Sequence, residues 1–135
     1  MFFNKTVAKA EAAAAETLIV TTDMTPQEAV RAVIKVFDGR LAGSAVRGSW
    51  FDSICHGSDA YTSEISGPAS DQSSATLRLQ VDPDWNGGGS RIVLDIPKYQ
   101  LHSQYGLPMY GALQTAVTKR KKAIEKLRPT SVQSQ

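Results

Sequence analysis

Residues 75–96 read ATLRLQVDPDWNGGGSRIVLDI, and the two ends of this stretch decide the fold. In the first arm Ala75, Leu77, Leu79 and Val81 alternate with Thr76, Arg78 and Gln80. In the second, Ile92, Leu94 and Ile96 alternate with Arg91, Val93 and Asp95. Successive side chains on an extended chain point to opposite faces, so this period of two predicts strands with one buried face. Between them lies a run of glycine, aspartate and asparagine, the residues that accept positive φ or cap turns. The pair therefore reads as an antiparallel hairpin, and Pro97, which lacks an N–H, is expected to close the second strand.

The connecting stretch, residues 82–93 (DPDWNGGGSRIV), is also the most motif-like run in the chain. Asp82, Asp84 and Asn86 fall at positions 1, 3 and 5 of a calcium-binding EF-hand loop, and Gly87 falls at position 6. The match ends there. Position 12 requires a bidentate glutamate and holds Val93, and the flanks are strands where an EF-hand needs helices. A phosphate-binding loop would need a GK[ST] ending or a following helix, and neither is present. The reading is a hairpin loop without a metal, its tip carrying Trp85 as a contact residue or as a side chain folded back on the sheet edge.

Working outward, residues 25–39 (TPQEAVRAVIKVFDG) carry strong helix signals. Thr25 is an N-cap, Pro26 sits at the first helical position, and Glu28 completes a capping box. Val30, Val33, Ile34 and Phe37 recur on one face, and Gly39 is expected to end the helix in a left-handed conformation. A short strand, ETLIVTT (16–22), precedes it. After it, AVRGSWFDSI (45–54) is expected as a strand, CHGSD (55–59) as a turn, AYTSEIS (60–66) as a second strand and GPASDQSS (67–74) as a surface loop. A long C-terminal helix is predicted from Pro108 onward. Met109, Ala112, Leu113, Ala116, Val117, Ile124 and Leu127 form its apolar stripe, with Arg120 snorkelling at the edge. Pro129 limits its continuation. These elements predict an α+β domain over residues 17–128. An antiparallel sheet of about four to five strands packs against the capped helix and the long C-terminal helix. Residues 1–16 are expected to be weakly ordered or a short helix, and 129–135 a flexible tail.

A length of 135 residues suits one domain with a real core. The single cysteine, Cys55, excludes an intramolecular disulfide. No run is apolar enough to span a bilayer, and the polar residues near the start interrupt any export signal, so a cytoplasmic location is expected. The net charge of +2 names no partner, but it is unevenly spread. Residues 1–67 carry six Lys/Arg against eight Asp/Glu, whereas 68–135 carry nine against five, mostly in TKRKKAIEK (118–126). Positive charge late in a helix complements its dipole, and no second basic patch with aromatics accompanies it, so nucleic acid is disfavoured.

The element order, a strand followed directly by the TPQEAV helix, then antiparallel strands and a long last helix, resembles the helix-grip arrangement of lipid-transfer and polyketide-cyclase domains over about residues 17–127. That resemblance implies an apolar cavity between a curved sheet and the C-terminal helix. The residues themselves offer no catalytic constellation. Cys55 and His56 are neighbours that point to opposite faces of an extended chain, and His102, Asp52 and Asp59 show no zinc-ligand spacing. No cofactor or metal is therefore expected, and the chain leans away from being an enzyme. The aromatic set of Trp50, Phe51, Tyr61, Tyr99, Tyr105, Met109 and Tyr110 suits a core, an interface or a ligand pocket. The expected pocket or contact residues are Trp50, Asp52, His56, Tyr61, Trp85, His102, Tyr105, Met109 and Tyr110. The first functional reading is a binding or assembly module that associates with itself or another protein. The alternative is a small apolar-ligand binding or cyclase-like domain with its pocket under the C-terminal helix.

Overall fold

A computed structural model describes residues 2–39, 46–82 and 89–135, with side chains from Lys5 onward. The expected capping box is present in it. Thr25 accepts the Glu28 N–H at 3.2 Å, Glu28 reaches back to Thr25, and helix α2 runs Pro26–Phe37. Its apolar face, Ala29, Val30, Val33, Ile34 and Phe37, is buried. Gly39 does not take a positive φ. The helix instead ends on Asp38, whose N–H still bonds the Ile34 carbonyl while its carboxylate is held by a neighbouring strand.

The remaining elements in chain order are α1 (Phe2–Ala15), β1 (Leu18–Thr22), then after α2 a short helix α3 (Ser49–Cys55), β2 (Tyr61–Ser66), β3 (Ser74–Val81) and β4 (Ser90–Gln100). The chain closes with β5 (His102–Gln104), β6 (Leu107–Met109), α4 (Gly111–Lys126) and β7 (Pro129–Ser134). The fold is α+β. The main sheet has five strands in the order β2-β3-β4-β1-β7, every pairing antiparallel, and β5 and β6 form a separate ribbon. The alternation of residues 75–96 survives as the β3–β4 hairpin, with Leu79 opposite Leu94 and Val81 opposite Ile92. Leu77, Leu79, Ile92 and Leu94 are fully buried and join α2, α3 and α4 in one core. The loop tip at 83–88, including Trp85, lies outside the described residues.

Several expectations are corrected. Residues 49–55 form a helix where a strand was expected. Trp50 and Ile54 lie four apart, a spacing that fits both a period of two and a period of 3.6. Gly48 at φ 98° starts the helix, Phe51, Ile54 and Cys55 turn inward, and Gly57 at φ 79° closes it. Pro97 does not end β4. Residues Asp95 and Lys98 pair with Arg78 and Thr76, so Ile96 and Pro97 stand opposite Leu77 alone, and the proline sits in a bulge where no donor is needed. Helix α4 starts at Gly111, because Pro108 pairs with Ser103 in the β5–β6 ribbon. Tyr105 at φ 53° and Gly106 at φ 76° give that ribbon a turn with two left-handed residues. Residues 129–134, expected as a loose tail, are the edge strand β7, held to β1 and extended by reciprocal backbone bonds between Thr17 and Gln135.

Candidate functional site

Most of the described contact residues fall into two groups, each tied to a helix end. The first surrounds the C-terminus of α2. Trp50 on α3 packs edge-on to Phe51 at 6.1 Å between ring centroids and lies 6.3 Å from the Tyr61 ring. The guanidinium of Arg31 sits 4.8 Å over Phe51. Tyr61 and Ser63 on β2 both donate to the Asp38 carboxylate. Burial raises the Tyr61 hydroxyl well above its ordinary pKa, and the bond to Asp38 raises it further. It is thus a fixed neutral donor rather than a base. Lys119 on α4 donates to the Phe37 carbonyl at 2.8 Å. This group ties α2, β2 and α4 together, with Asp38, Tyr61, Ser63 and Lys119 all hydrogen-bonded.

Asp52, Cys55 and His56 do not combine. His56 caps α3 by placing Nδ1 2.7 Å from the Asp52 carbonyl, where it donates, and its ring is exposed. Cys55 turns into the core. Burial, then the Asp52 charge, pushes its thiol up to about 11, against a smaller lowering by Arg31. A thiol held protonated in this way is a poor nucleophile at neutral pH. Among the described residues no three His, Cys, Asp or Glu side chains form a group able to hold a metal.

The second group surrounds the N-terminus of α4. His102 and Met109 face each other across the β5–β6 ribbon, which leads into Tyr110. Tyr110 occupies the N-cap position but supplies no side-chain bond. The cap comes from the β2–β3 turn. Asp71 accepts the Gly111 N–H at 3.0 Å, and the Ser73 hydroxyl accepts the Ala112 N–H at 3.0 Å. Burial alone would raise the Asp71 carboxyl. The bonds from Ser73 and Gly111 and the charge of His102 outweigh it and hold the carboxyl below its ordinary range. Asp71 and Ser73 lie in the GPASDQSS stretch expected as surface loop, and both are buried. The local Asx turn, with Ser73 N–H on Asp71 at 2.9 Å, has a sequence signature. The helix it serves, 40 residues on, has none. Tyr105, at the ribbon tip, is 94% exposed.

The third feature is the sheet itself. The helices pack on one face, and the side chains between sheet and α4 (Leu77, Leu79, Leu113, Ala116) are fully buried in the core. The other face carries the cross-strand pair Ile19–Val93 and several charged and polar side chains. Arg78 grips Asp95 with two bonds of 3.0 and 2.5 Å, and Arg91 pairs with Asp82 at 3.3 Å. At one margin lies β7, all six residues exposed. The Thr17–Gln135 pair exchanges both of its bonds, so the alternation of an antiparallel ladder turns the N–H and C=O of Val132 and Ser134 away from β1. The segment 129–135 (PTSVQSQ) carries no charged side chain, and Val132 is 46% exposed. The opposite edge, β2, carries Glu64. No protein-family model matches this chain, and neither the curated proteins nor the solved structures yield a match. No helix among the described residues is long and apolar enough to cross a membrane.

Proposed function

We propose that this chain is a binding and assembly module that associates with a second copy of itself through the β7 edge. The observation that carries this reading is the uncharged margin of the sheet, with the outward N–H and C=O groups of Val132 and Ser134. Folded chains ordinarily guard such an edge with lysine, proline or a bulge, because it templates further pairing. Here Pro129 and the register shift at Thr21/Thr22 guard only the start of the strand. An antiparallel two-fold pairing centred on Val132 places Val132 against its own copy and Ser131 against Gln133. These combinations are apolar on apolar and hydroxyl on amide, so the edge complements itself.

A six-residue edge buries less than a standard stable interface, so the dimer is weak and depends on concentration. Light scattering across a concentration series is expected to show a monomer–dimer equilibrium. Val132→Pro removes an outward donor without removing a bond to β1, and is expected to abolish the dimer while the far-UV circular dichroism is retained. A native chain that stays monomeric at the highest attainable concentration, or a Val132→Pro chain that still dimerises, would refute the reading.

A further inference from the structure

On the helical side a groove of about 390 Å³ runs between α2 and α4, lined by Ala32, Lys35, Val36 and Lys126. Among the described residues its lining pairs two small apolar side chains with two lysines and includes no carboxylate. On α4, Lys119, Lys122 and Lys126 recur at i, i+3 and i+7, one stripe of the helix, and Lys119 is already spent on the Phe37 carbonyl. Among the described residues the ion pairs are Arg78–Asp95 and Arg91–Asp82, both on the sheet, so within that set Lys35, Lys122 and Lys126 form no ion pair. Glu28 on α2 is turned back to Thr25 by the capping box, and the Asp38 carboxylate at the end of α2 is held by Tyr61 and Ser63.

We infer that the α2–α4 groove docks an acidic peptide segment of another protein, one that sets carboxylates against Lys35 and Lys126 and an apolar side chain between them. Charge complementarity selects an anionic occupant. The rest of the surface selects among anions. Among the described residues the exposed large apolar side chains, Trp50, Tyr105, Leu107 and Val132, all lie off these two helices, which disfavours insertion of this face into a lipid bilayer. The groove also lacks the aromatic platforms on which nucleic-acid bases stack. An amphipathic peptide in a helix-lined groove uses both the lysines and the apolar floor. The groove shares no side chain with the β7 edge, so this inference stands or falls separately from self-association.

The test is a fluorescence-anisotropy titration of the full chain with a labelled 16-residue peptide of repeated Glu-Glu-Leu-Leu, matched in length to α4. Its counterpart carries Lys in place of Glu. The acidic peptide is expected to bind and the basic one not to bind. The double variant K35E/K126E is expected to weaken the acidic peptide by roughly tenfold or more and to gain binding of the basic peptide. Lys121→Glu, on the opposite side of α4, is expected to change binding by less than the groove variants. Melting curves show that each variant folds, and the swap in peptide preference cannot arise from loss of fold. Equal binding of both peptides, or K35E/K126E binding like the native chain, overturns the proposal. Tighter binding of duplex DNA or of phosphatidylserine vesicles through the same two lysines also overturns it.

Discussion

Arg120 carries more of the fold than its place in the sequence suggests. It lies inside a run of four basic residues, and amphipathic spacing sets it at the edge of the apolar stripe, where a snorkelling side chain is expected. In the structure it is buried, and its guanidinium donates to the carbonyls of Glu16 and Ala13 at 2.8 and 2.6 Å. The Ala13 carbonyl, in the last turn of α1, also accepts the Glu16 N–H at 3.2 Å, and Arg120 adds a second donor to it and one to the Glu16 carbonyl just past the helix. Burial lowers the Arg120 pKa, and the charges of Glu16 and Asp95 partly restore it. Arg120→Met keeps much of the packing but removes the donor to the Glu16 carbonyl and the second donor to the Ala13 carbonyl. It is expected to cost about 1–3 kcal/mol in urea unfolding, with Arg120→Lys costing less because an ammonium keeps part of the bonding.

At the level of elements, those whose signals are local were legible. The α2 capping box and the β3–β4 alternation each lie within one short window of sequence. Those missed depend on shared periods or on distant partners. The spacing of Trp50 and Ile54 serves a strand and a helix equally, and the start of α4 is fixed by Asp71 and Ser73 across the fold. That remote cap has a measurable consequence. Alanine in place of Gly111 would ordinarily gain up to about 1 kcal/mol of helix propensity. Here its Cβ would stand 2.7 Å from Asp71 Oδ2. Gly111→Ala is therefore expected to destabilise the native chain by about 1–2 kcal/mol, as an overpacked contact does. In an Asp71→Ala background the same change is expected to become neutral or stabilising. A double-mutant cycle by chemical denaturation reads the change of sign.

For the whole molecule, the one-sided packing of the sheet decides which groups are shielded. Cys55 lies in the core shared by the sheet and helices, and its thiol is pushed up to about 11. Thiol labelling near pH 8 is expected to be slow in the native chain and to follow opening of the core, at a rate that rises with urea in step with unfolding. The same shift predicts a pH dependence. The thiol's folded pKa lies above the unfolded value of 9.0, so its contribution to stability is complete below that value and is lost as pH rises toward 11. A melting-temperature series across that range should decline where a Cys55→Ala chain declines less.

Elements with local causes are legible along the chain: the capped α2, the alternating β3–β4 pair, the late amphipathic helix, and from their order the α+β class. Folding in three dimensions added residues 129–134 as a fifth strand and coiled 49–55 into a helix. It also turned Asp71 and Arg120 inward to serve the ends of other helices, and among the described residues it left Lys35 and Lys126 outside any ion pair. The physical reason is the same in each case. Period and capping act within a few residues and can be read along the chain, whereas edge pairing, remote caps and charge compensation depend on which surfaces the folded chain brings together.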